Sequence, residues 1–87
     1  MSTTRQEVYA AIDTERDHQL ALWGTAGASH SNLEYLAYIQ DYVTEAMHRL
    51  SRQSDASAVA ATQGSLRKIA GLAVAALEAN GCRKRTP

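Results

Sequence analysis

Phenylalanine is absent from this chain, cysteine and tryptophan occur once each, and the only proline is Pro87. A single Cys82 closes no internal disulfide and leaves no cysteine-based zinc site. Neither sign of charge is in excess, with nine Lys+Arg against nine Asp+Glu. That balance excludes generic nucleic-acid binding, which needs a basic surplus to neutralise several phosphates. No run reaches the roughly 18 apolar residues of a transmembrane helix, and the opening MSTTRQEV has no apolar signal segment. No membrane contact is expected, and the chain is read as a soluble cytoplasmic protein. Catalytic signatures are missing too: there is no HExxH, no nucleophile elbow, and Gly24-Thr25-Ala26-Gly27 lacks the ending of a phosphate loop.

What is present is helical. Glycine is confined to positions 24, 27, 64, 71 and 81, which leaves three long stretches without breakers. Thr4 and Glu7 form a reciprocal capping box that opens a first helix. Val8, Ile12, Gln19 and Leu22 keep near one face, and Gly24 ends the helix in a left-handed conformation. Thr25 to His30 has no apolar period and reads as a loop. A second box, Ser31 with Glu34, starts a helix whose core face is predicted from Leu36, Ile39, Val43, Ala46, Met47 and Leu50. It fades over 51–55, where Asp55 or Ser57 caps the third helix. From Ile69 to Leu77 nothing is charged, the mark of a buried helix, and Asn80-Gly81 stops it. The expected fold is all-α, a small bundle of three main helices. Residues 1–82 form one domain and 83–87 a basic tail. At 87 residues a chain buries only roughly 60% of its unfolded surface, so a homo-oligomer is expected.

Two groups on the second helix carry chemistry. Asp41 and Glu45, four apart, stack on one face where they could hold Mg²⁺; equally, Glu45 can pair with Arg49 and Asp41 can be solvated. Tyr35, Tyr38 and Tyr42 also share a face, for stacking on a base or for packing. The third helix brings Arg67-Lys68 opposite them.

The series Glu15-Arg16-x-x-Gln19-x-x-x-Trp23-Gly24, His30 in a polar loop, Leu36-x-x-Ile39 before an acidic helix, and Leu66-x-x-Ile69-Ala70-x-Leu72-Ala73-Val74-Ala75-Ala76-Leu77-Glu78 resembles the small phage and bacterial MazG-like proteins over residues 8 to 79. The resemblance implies an all-α oligomer that hydrolyses nucleoside triphosphates to monophosphate and pyrophosphate with carboxylate-held Mg²⁺. The family's motifs are E-E-x-x-E followed on the next helix by E-x-x-D. Here the first falls on Asp41-Tyr42-Val43-Thr44-Glu45 and the second on Ser65-Leu66-Arg67-Lys68, so two of five acids remain. Mg²⁺ wants near-octahedral oxygen ligands, and Lys68 puts a cation where one should be bound.

These departures favour capture over cutting. The expected function is non-catalytic binding of a nucleotide or cyclic-nucleotide signal, without a cofactor, in a phage counter-defence setting and so in the host cytoplasm. Trp23 with Tyr38 or Tyr42 would stack on bases, Arg16, Arg67 and Lys68 would hold phosphates, and Gln19 and His30 would hydrogen-bond. One alternative is a Mg²⁺-dependent pyrophosphohydrolase using Asp41, Glu45 and Glu15. Another is a helical inhibitor of a host protein.

Overall fold

The computed structural model describes residues 2–24, 30–53 and 55–86. Three helices follow one another: α1 (Arg5–Trp23), α2 (Asn32–Arg52) and α3 (Ala56–Asn80), with no strand among the described residues. The expected loop over 25–29 lies outside them. No described helix is long and apolar enough to cross a membrane.

Local chemistry sets the helix ends. The Thr4 hydroxyl accepts the Glu7 N–H at 3.2 Å while the Glu7 carboxylate accepts the Thr4 N–H at 3.3 Å. Ser31 and Glu34 repeat the exchange at 3.2 and 3.0 Å. Asp55 caps α3 by accepting the Ala58 N–H at 2.9 Å. Each cap satisfies donors that have no partner within the helix. Gly24 and Gly81 end α1 and α3 at φ 65° and 103°. Gly24 departs from the left-handed conformation expected of it: φ is positive, but ψ is −176°, an extended exit.

Both α1 and α2 pack on α3, and among the described residues no Cα of α1 comes within 8 Å of one in α2. The third helix is therefore the centre of the assembly, as its uncharged run from Ile69 to Leu77 predicts. Its core cluster is small: Tyr35, Leu72 and Ala75, bordered by Ile39, Tyr42 and Ala76. The face of α2 is rotated from the expected one. Tyr35, Ile39, Tyr42 and Ala46 turn toward α3, whereas Leu36 and Met47 are 61% and 65% exposed and Leu50 is exposed too. On α1, Val8 and Leu22 are likewise exposed, and the buried residues are Glu15 and Gln19. On α3, Leu77 lies exposed although it ends the uncharged run. On α1 the contact face is held by polar side chains with specific partners, Glu15 with Arg67 and Gln19 with the Lys68 carbonyl.

The cap of α2 is sensitive to acid. The backbone N–H of Ser31, then the His30 side chain and the Ser31 hydroxyl, hold the Glu34 carboxyl below its ordinary 4.5. A carboxyl lowered in the folded state contributes stability above its unfolded value, lost as the pH falls through the folded one. Glu34 should titrate below 4.5 by carbon-detected NMR, and Glu34→Gln should flatten the acid side of the stability profile. An unchanged profile would show that the box adds nothing.

Candidate functional site

Because α1 and α2 stand apart on α3, a cleft of about 560 Å³ opens between them. Arg16, Gln19, Trp23 and Gly24 form its α1 wall, and Tyr35, Tyr38, Asp41, Tyr42 and Glu45 its α2 wall. Leu72 and Ala75 of α3 make an apolar floor, and His30 stands at one end. A smaller recess of about 130 Å³ adjoins it, sharing Gln19, Trp23 and Tyr42 and reaching Glu15, His18 and Lys68.

The aromatic residues are held in place. His30 meets Tyr35 and Tyr38 edge-on, with ring centroids 5.6 and 5.4 Å away, the arrangement that puts a positive ring edge on a negative face. Its Nδ1 lies 3.2 Å from the Glu34 carboxylate. The Asn80 amide donates to the His30 carbonyl and to Asn32 Oδ1, both at 3.0 Å, which ties the end of α3 to the start of α2.

The basic residues differ in how they are engaged. Arg16 Nε donates to Glu78 at 2.8 Å and Arg67 Nε to Glu15 at 2.8 Å. A guanidinium has five donors, so each pair leaves the terminal nitrogens for a further acceptor. Lys68 has no carboxylate partner among the described residues and lies 5.8 Å from the Tyr42 ring centroid, a cation–π distance. On the acidic side, Glu45 pairs with Arg49 at 3.6 Å.

Gln19 sits where α1 meets α3. Its amide donates to the Lys68 carbonyl at 3.3 Å, which fixes which end of the amide is nitrogen. Its Oε1 is buried without a partner. A Cβ at Gly71 would lie 2.7 Å from Gln19 Nε2, closer than any carbon can stand. Gly71 is thus the notch into which Gln19 fits.

Of the residues that the sequence nominates, Arg16, Gln19, Trp23, His30, Tyr38 and Tyr42 line the main cleft together with Asp41 and Glu45. Lys68 borders the recess, and Arg67 lines neither, being turned to Glu15. Sequence reasoning missed Leu72 and Ala75 as the floor and Glu78 as the partner of Arg16. The uncharged α3 run signalled a buried element, but nothing signalled a pairing across 62 positions. Among the described residues no three His, Cys, Asp or Glu side chains gather closely enough to hold a metal ion. The chain matches no protein-family model, no curated protein and no solved structure.

The notch is measurable as a coupling. Alanine is favoured over glycine in a helix by about 1 kcal/mol, so Gly71→Ala should stabilise the Gln19→Ala protein. In the wild type that gain should shrink or reverse, a coupling of about 1 kcal/mol or more in a double-mutant denaturation cycle. Additive effects would mean that Gln19 does not occupy the notch.

Proposed function

We propose that the cleft captures a nucleotide and holds it uncut, in a homo-oligomeric protein of MazG-like ancestry whose metal-binding acids are largely gone. The observation that carries this reading is an aromatic-walled cleft of about 560 Å³ with unspent cationic donors at its edge. Concave, mostly apolar sites of this size with a few convergent polar groups are the usual form of a small-molecule pocket. Trp23 with Tyr38 or Tyr42 would stack on a base, worth about 1–3 kcal/mol for each base. Phosphates would go to the terminal nitrogens of Arg16 and to Lys68. Asp41 and Glu45 repel phosphate, so they belong beside the base or sugar, where a carboxylate accepts from N–H and hydroxyl groups. Gln19 and His30 supply further hydrogen-bonding groups, and Arg67 serves only if it leaves Glu15. A protein that removes a signalling nucleotide in this way would suit phage counter-defence.

Hydrolysis would need a metal, and Asp41 with Glu45 would require further acids from a second copy. The two outcomes separate cleanly. Native mass spectrometry of protein purified from cells should release an intact nucleotide at a fixed ratio per protomer. Titration of linear and cyclic nucleotides without Mg²⁺ should change the fluorescence of Trp23, the only tryptophan. Lys68→Glu should weaken binding about tenfold or more, since one lost charge-assisted contact is worth roughly 1.5–3 kcal/mol. Mg²⁺-dependent release of pyrophosphate, abolished in Glu45→Gln, would establish the enzyme instead. Failure to bind any nucleotide would overturn capture and leave inhibition of a host protein as the better account.

A further inference from the structure

The side of the α2–α3 hairpin turned away from the cleft carries a second apolar surface. On α2 it consists of the exposed Leu33, Leu36, Met47 and Leu50 with the half-buried Val43, and on α3 of the exposed Val59, Leu66 and Leu77 with the half-buried Ala70 and Ala73. Residues 36, 43 and 50 on α2, and 59, 66 and 73 on α3, recur every seven positions; Met47, Ala70 and Leu77 fill three of the intervening turns, and the uncharged Gln40 and Gln63 the other two. That repeat of 3.5 is the pattern of a seam between supercoiled helices. Neither stripe contains a charge. Leu36 and Glu45, Tyr38 and Met47, and Asp41 and Leu50 are each separated by about two and a half helical turns, hence on opposite sides of α2. The seam therefore faces away from the cleft.

We infer that this face binds a second copy of the same chain, back to back, so that two α2–α3 hairpins form a four-helix bundle and each protomer keeps its cleft on the outside. This names the joining surface, and it stands whatever the cleft binds. The surface area points to a missing partner. A compact monomer of 9.4 kDa exposes about 5,000 Å², whereas this chain exposes 6912 Å². Its radius of gyration is 14.3 Å against about 12 Å for a compact domain of this length. The surplus, about 1,900 Å², is shared with the cleft and the chain beyond Gly81, and it exceeds the about 800 Å² that each partner of a standard dimer buries. A second copy suits the seam because both stripes are uncharged, largely apolar with one glutamine each, and of one repeat, so the surface can complement itself about a two-fold axis.

Analytical ultracentrifugation of the full chain from micromolar to about 100 μM is the test. The wild type should sediment as a dimer or an even-numbered oligomer, and Leu66→Lys should shift it to half that mass or below. Tyr9→Lys, on an exposed part of α1 outside the seam, should leave the mass unchanged. If Leu66→Lys fails to fold, the wild type decides: its melting temperature should rise with protein concentration, as folding coupled to pairing requires. A wild-type monomer with a concentration-independent melting temperature would overturn the inference and leave the seam to a foreign partner. So would an oligomer that persists in folded Leu66→Lys.

Discussion

The attachment of α1 to α3 governs the molecule, and it is polar. Glu15, Arg16 and Gln19, within five consecutive positions of α1, reach Arg67, Glu78 and the Lys68 carbonyl of α3. At their centre Gln19 presses into the space that Gly71 leaves by having no side chain. Glycine in a helix interior costs about 1 kcal/mol relative to alanine, and an unpaired buried amide oxygen costs about 1–3 kcal/mol more. Both costs are tolerated at a single contact, which fixes how closely and at what level α1 approaches.

The cleft follows from that attachment. Polar pairing holds α1 on α3 alone, so the aromatic wall of α2 is left facing Trp23 across open space. The same pairing spends part of the site's positive charge. Because Arg16 and Arg67 each engage a carboxylate through Nε, their role in holding α1 and any role in holding an anion compete only in part. Lys68 is free of that competition, and the Tyr42 ring beneath it offers it a neutral contact.

Sequence made the ends of the helices plain and their faces less so. Thr4 with Glu7, Ser31 with Glu34, and Asp55 act through neighbours three residues away, so short-range pattern is enough. The face of α2 was harder because its apolar residues span a wide arc, with Tyr35 and Tyr42 at one border and Leu36 and Met47 at the other. Periodicity finds the middle of such an arc, but which border is buried depends on the partner helix. The convergence of Arg16, Gln19, Trp23, Tyr38 and Tyr42 on one cleft was partly legible as a family-like series. The pairing of Arg16 with Glu78 was not, since it depends on how α1 lies along α3.

The breadth of that arc has a physical meaning of its own. A helix with one apolar side needs a narrow stripe, and α2 carries more. One border, Tyr35 and Ile39, meets α3. At the other, Val43 is half-buried while Leu36, Met47 and Leu50 stay in solvent, where leaving a leucine or methionine exposed forgoes about 1.5–3 kcal/mol of burial for each. Among the described residues, four buried hydrophobic ones, two of them alanine, are a slender core against the conformational entropy of ordering three helices. Much of the aliphatic surface of this chain, Leu33, Leu36, Met47 and Leu66 among it, thus lies outside the core of a single copy. The aliphatic border of α2 is therefore the surface that the proposed pairing would cover, the aromatic border lines the cleft, and α3 lies between them.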